Sequence, residues 1–140
     1  MDRAQAILID GPISQLTPAL PDGAACGAVN IFLGVVRNDE HGTPISALEY
    51  TTYDPMAQRV LASLAEQAIE KFGVMQVHVE HSRGLVPVGA CSLRLTVAGA
   101  HRQETLDATV WYIDTMKRDA PIWKRPIPAK SPPQLIGEER

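Results

Sequence analysis

The chain has 140 residues, 45% of them hydrophobic and 21% charged, which is one globular domain's worth of sequence and enough to bury a core without a metal or disulfide staple. Thirteen Lys and Arg against sixteen Asp and Glu give a net charge of −3, a balance that argues against nucleic acid and anionic membrane as main partners. No apolar run approaches the ~20 residues of a membrane span, the N-terminal apolar patch is too short for a signal-peptide core, and Cys26 and Cys91 stand isolated, so a reduced cytoplasmic protein is expected.

Ala4–Ile9 reads as a short apolar edge strand, broken by Gly11-Pro12. Ser14 to Leu20 suits a short helical turn before Pro21-Asp22-Gly23. Cys26–Val36 is apolar and branched and predicts a buried strand. Arg37 to Gly42 is polar without period and predicts an exposed loop, followed by a strand over Ile45–Tyr53.

Asp54-Pro55 opens a helix, with Asp54 as N-cap and Pro55 at the first helical position. Ala57, Leu61, Leu64, Ala68 and Phe72 form its apolar stripe, and Gly73 ends it as a left-handed cap. Val74–Val79 predicts a strand, Gly84–Gly89 a turn region, and Ser92–Ala98 a strand with Leu93, Leu95 and Val97 on one face. A second helix is expected from about His101 to Arg118, with Leu106, Val110 and Ile113 as its buried stripe and Pro121 forcing its end. Residues 1–125 are expected to be one α+β domain, with two main helices and a mixed, mostly antiparallel sheet. Residues 126–140 form a proline-rich tail, expected to be extended or disordered.

The residues with chemical promise are cationic. Lys117 continues the Leu106–Val110–Ile113 spacing at the helix end; a last-turn lysine also simply complements the helix dipole. Lys124 and Arg125 follow Pro121-Ile122-Trp123 in an acidic protein, and an extended segment there lets Trp123 anchor to the core while Lys124 projects into a cleft. Gly99-Ala100-His101-Arg102 places free backbone N–H groups and two side-chain donors at a helix start. Arg37 ends the first long strand. Such a cluster suits a small anion such as a phosphate, whereas the ordinary alternative for each feature is a solvated basic surface. The usual glycine-rich nucleotide cradles are missing, and His78 and His81 fall on opposite faces of their strand, a poor arrangement for a shared metal.

Five stretches follow one another along the chain: Gly27-Ala28-Val29 with Phe32-Leu33-Gly34-Val35-Val36-Arg37-Asn38; Leu48-Glu49-Tyr50 with Tyr53 and Met56-Ala57; Gly84-Leu85-Val86-Pro87-Val88; Ala100-His101-Arg102; and Ile113-Asp114 with Lys117 and Ala120-Pro121-Ile122-Trp123-Lys124-Arg125. Together they resemble the large subunit of molybdopterin synthase, the MoaE family, from about residue 4 to residue 125. The resemblance implies an α+β fold and a homodimer, each copy binding a small ubiquitin-like MoaD-type subunit to give a heterotetramer. It implies sulfur transfer from that subunit's C-terminal thiocarboxylate to cyclic pyranopterin monophosphate, forming the dithiolene of molybdopterin. No cofactor or metal is implied for this step. The site residues it carries over are Val35, Val36, Arg37, His101, Arg102, Lys117, Lys124, Arg125 and Pro126, with Lys117 and Lys124 as catalytic candidates. Ser82, Ala90 and Pro126 depart from the family pattern, and Pro126 lacks both the family's carboxylate and a backbone donor. A non-catalytic module that holds a ubiquitin-like Gly-Gly tail is the alternative, and a Schiff-base lyase is a third reading that leaves the dense cation cluster unexplained.

Overall fold

A computed structural model describes residues 3–15 and 24–129. Seven strands and two helices follow in the order β1 (Ala4–Asp10), β2 (Ala28–Val35), β3 (Asp39–Glu40), β4 (Thr43–Thr52), α1 (Met56–Phe72), β5 (Gln76–Pro87), β6 (Cys91–Gly99), α2 (Arg102–Asp119) and β7 (Ile122–Pro128). One sheet runs β2-β6-β5-β4-β3, with β1 added on β5 and β7 on β4. Only the β1–β5 pair is parallel; the other pairs are antiparallel. The α+β class with a mixed, mostly antiparallel sheet is therefore as expected. None of the described helices is long and apolar enough to cross a membrane.

Both helices pack on one face of the β1–β5–β6 region. Leu61, Leu64, Ala65 and Ala68 of α1 and Ala108, Tyr112 and Met116 of α2 close over Val77, Val79, Leu93, Leu95 and Val97. Tyr112 is fully buried, and its hydroxyl donates to the Leu61 carbonyl at 2.8 Å. Burial pushes that phenol far above its usual range, so it stays neutral. A second, smaller core of Val36, Ile45, Leu48 and Val86 lies where β4 meets the end of β5.

Several expectations change. β2 is not a buried strand: it pairs only with β6, and its residues are at most half-buried, because an edge strand is covered on fewer sides. The polar stretch after Arg37 is not a loop throughout. Asp39 and Glu40 pair with Pro44 and Thr43 across the turn His41-Gly42, whose φ values of 52° and 84° suit a two-residue hairpin. Pro55, rather than Asp54, stands at the N-cap of α1. Asp54 instead accepts from Thr52 Oγ1 at 2.9 Å and pairs with Arg83. Gly73 does cap α1 in the left-handed region, its N–H on the Ile69 carbonyl. β5 does not stop near Val79. It runs to Pro87, pairing first with β1 and β6 and then with β4, and the turn falls at Val88-Gly89, closed by Ala90 N–H on the Pro87 carbonyl at 3.0 Å.

The largest correction concerns α2. Leu106 and Val110 are 49% and 61% exposed, and of the expected stripe only Ile113 packs against the main core. The buried face holds Thr105, Ala108, Thr109, Tyr112, Thr115 and Met116. Its threonines bury cheaply because each hydroxyl donates to the helix's own carbonyl four residues earlier: Thr105 to His101, Thr109 to Thr105, Thr115 to Trp111, at 2.7–2.8 Å. The helix begins where β6 ends at Gly99, and Gly27 passes so close that an added Cβ would lie 2.3 Å from the Ala100 carbonyl oxygen. Strand β7 runs through Pro126 to Pro128 on β4, past the boundary expected after Arg125. An edge position tolerates prolines there because one row of backbone donors has no ladder to join. The expected helical turn at Ser14 to Leu20 and most of the expected tail lie outside the described residues.

Candidate active site

Three elements each bring one cation to a single cavity of about 580 Å³. Arg37 follows β2. Its neighbour Val36 is buried in the small core, donates to the Ala90 carbonyl at 3.0 Å and accepts from Gly89 N–H at 2.9 Å, so the chain leaves the sheet at a defined point. Lys117 stands in the last turn of α2, and Lys124 on β7 opposite Tyr50 of β4. Val35, Val36, Arg37, Lys117 and Lys124 all line the cavity. No ion pair joins Arg37 or Lys117 to a described carboxylate within 4.0 Å, whereas Lys124 Nζ lies 3.1 Å from Glu40 Oε2.

The inner wall is polar but uncharged. Tyr50 donates its hydroxyl to Ser92 Oγ at 3.0 Å and stands edge-on to the His81 ring, centroids 5.2 Å apart. His81 Nδ1 is 2.7 Å from the Ser82 carbonyl oxygen. That oxygen can only accept, so Nδ1 carries the proton and Nε2 is left as the acceptor. Burial lowers the His81 pKa, with the Ser82 bond partly opposing it, and the ring is neutral at pH 7. Phe32, Leu48, Ile113 and Met116 add apolar walls. The cavity thus combines exposed cations, a neutral hydrogen-bonding wall and flat apolar surface, a combination suited to an anion with a planar body.

Four expected site residues lie elsewhere in this chain. His101 and Arg102 begin α2, about 22 Å along the helix axis from Lys117, and neither borders the cavity. His101 serves as the helix N-cap, its N–H donating to Glu104 Oε2 at 3.0 Å. Arg125 is turned to Glu49 and pairs with it. Pro126 sits opposite Leu48 in the β7–β4 ladder, outside the cavity lining. Trp123 does not anchor to the core: it is 59% exposed and borders the cavity with Lys124, while Ile122 packs against the main core in its place. Glu40, His81 and Ser92 are lining residues that the sequence did not single out. No local spacing marks them, because the fold gathers them from β3, β5 and β6.

Comparison with known proteins bears on this cavity. The model of the MoaE family, described as "MoaE protein", matches residues 9–119. The chain is similar to the human molybdopterin synthase catalytic subunit, 39% identical over 102 residues that make up 73% of this chain and 54% of that protein. It is also similar to the Thermoplasma volcanium molybdopterin synthase catalytic subunit, 40% identical over 101 residues, 72% of this chain and 74% of that one. The chain spans about half the length of the human and rat relatives it matches. Among solved structures, molybdopterin synthase from Staphylococcus aureus superposes with a TM-score of 0.76 at 26% identity, covering 94% of this chain and 95% of that one. The complex of subunits 1 and 2 of the molybdopterin-converting factor from Helicobacter pylori shares the fold, with a TM-score of 0.68 at 23% identity and 90% coverage of each chain.

Proposed function

The chain belongs to the MoaE family, and from that premise we propose that it is the sulfur-transferring large subunit of a molybdopterin synthase. It takes sulfur from the C-terminal thiocarboxylate of a small ubiquitin-like MoaD-type subunit. It delivers that sulfur to cyclic pyranopterin monophosphate, and two rounds build the dithiolene of molybdopterin. The observation that carries this reading is the meeting of Arg37, Lys117 and Lys124, from three separate stretches of chain, on one cavity of about 580 Å³. That volume lies in the range of sites that enclose a small ligand.

The chemistry follows from charge. A thiocarboxylate and a phosphate repel each other, and cations at ~4 Å in a partly dry site offset several kcal/mol of that repulsion. Arg37 and Lys124 hold the phosphate and orient the pterin. Lys117 acts at the thiocarboxylate, either at its carbonyl carbon or on the group that departs; the carbon–sulfur bond breaks, water takes the acyl carbon, and the small subunit's C-terminus is left as a carboxylate. The apolar wall at Phe32 and Ile113 takes the flat ring. His101 and Arg102, too far along α2 to reach their own copy's cavity, are supplied by a second copy of the chain, which makes the homodimer part of the site. Pro126, where this chain departs from the family pattern, stands outside the cavity lining.

The test is reconstitution. The chain is mixed with a thiocarboxylated cognate small subunit and the cyclic phosphate, and product is read as a fluorescent pterin after oxidation. Lys117→Ala is expected to lower turnover at least a hundredfold, consistent with loss of a group acting at the reacting atoms, while small-subunit binding stays within about threefold. A wild-type chain that yields no dithiolene with an authentic cognate partner eliminates the synthase reading. Equal loss of turnover and binding in the variant assigns Lys117 a structural role.

A further inference from the structure

Among the described residues, Glu40 is the one carboxylate in the cavity lining, and it is paired with a cation that the proposed reaction uses. The two partners are held differently. The Glu40 side chain is 13% exposed, against 52% for Lys124. The Glu40 backbone is held by its hairpin, and Glu40 Oε2 also lies 3.9 Å from His41 Nε2. Glu40 pairs with Thr43 in the β3–β4 ladder, and the next two residues form the His41-Gly42 turn, tightened by Gly42 N–H donating to Asp39 Oδ2 at 3.1 Å. Lys124 carries its ammonium on a long flexible stem from an edge strand. The more buried carboxylate is therefore the more restrained member of the pair and the more exposed ammonium the freer one.

We propose that Glu40 is a positioning residue that parks Lys124 over the unliganded cavity and competes with the incoming anion for it. This rests on the proposed function and deepens it by naming what sets anion affinity at that site. A phosphate entering the cavity meets Arg37 and Lys117 with no described carboxylate partner, but it gains Lys124 only by drawing the ammonium off Glu40. The carboxylate also repels the anion directly. Affinity is thereby held down while the ammonium is kept aimed at the cavity, so an anion that leaves the cavity returns Lys124 to its parked position. Weak ground-state binding of this kind leaves binding energy for the transition state.

Glu40→Gln keeps the side-chain shape and removes the charge, and the experiment reads two quantities. The first is the affinity of the intact protein for inorganic phosphate, followed by NMR titration. It is expected to tighten about three- to tenfold in Glu40→Gln, the scale of one unit charge removed near a partly solvated anion. The second is the split between KM and kcat in the reconstituted reaction, where KM for the pterin phosphate is expected to fall and kcat to fall with it. Glu49→Gln is the control, since Glu49 pairs with Arg125 and lies outside the cavity lining; its phosphate affinity is expected to stay within twofold of wild type. Unchanged or weaker phosphate binding in Glu40→Gln overturns the proposal, and so does equal tightening in both variants. The phosphate titration needs no sulfur transfer, so its failure is distinct from a failure of the synthase reading.

Discussion

Lys117 and Arg37 border the cavity with no described carboxylate within ion-pair distance, and Lys124 borders it with one. That difference in pairing, between side chains of the same charge in the same cavity, is the basis of the separate roles proposed for them. His81 adds a fourth kind of group. Its proton is held on Nδ1 by the Ser82 carbonyl and its burial keeps the ring neutral, so Nε2 offers a lone pair in a cavity otherwise rich in donors. The same burial has a consequence for stability. Because the folded pKa lies below the unfolded value, the unfolded chain binds the proton first as pH falls. The stability tied to this histidine is complete above the unfolded pKa near 6.5 and is lost as pH drops from there through the folded pKa. Thermal unfolding of His81→Gln is expected to show a shallower loss of Tm between pH 7 and pH 5 than wild type; parallel profiles would show that His81 is not protonated preferentially in the unfolded chain.

Helix α2 shows how an element can hide its buried face. Leucine and valine at Leu106 and Val110 outrank threonine on any hydropathy scale, yet the threonine side is the one that packs. Internal bonds to carbonyls one turn back remove most of the cost of burying a hydroxyl. Thr109 has a further duty, since its Oγ1 accepts from Asn30 Nδ2 at 2.9 Å and ties the helix to β2. Thr109→Val is expected to cost about 1–2 kcal/mol in urea unfolding, because Asn30 loses its acceptor in a half-buried place. Val110→Ser is expected to stay within about 0.5 kcal/mol, as an exposed position allows. The reverse ranking would place the hydrophobic stripe inside after all. Ile113 departs from the exposure of Leu106 and Val110: it packs against the main core and, with Lys117 one turn on, lines the cavity.

At the scale of the whole molecule, the α2 rod keeps His101 and Arg102 at one end and Lys117 at the other, about 22 Å apart along its axis. If a second copy supplies the first pair, two defective chains must repair each other. Mixing Lys117→Ala chains with Arg102→Ala chains is expected to restore about a quarter of wild-type turnover, because half the dimers are mixed and each holds one intact site. Activity no greater than the sum of the two variants alone would confine each site to a single chain. The spacing of Ala57, Leu61, Leu64 and Ala68, the Gly73 cap, the alternation in β6 and the ordered motifs around Arg37, Lys117 and Lys124 were all legible in the sequence. Local periodicity and capping depend on near neighbours, so one chain read alone reveals them. The motifs likewise carried the family, which the match over residues 9–119 establishes. The length of β5, the edge position of β2 and the buried side of α2 were decided only by what packs against each element. The site was decided in the same way: Glu40, His81 and Ser92 join Lys124 because β3, β5, β6 and β7 are brought to one place, and His101 and Arg102 are kept from it by a rigid helix. Sequence determines which groups the chain possesses and the local structure they favour, whereas their distances across the fold depend on contacts between segments far apart in the chain, which no short window contains.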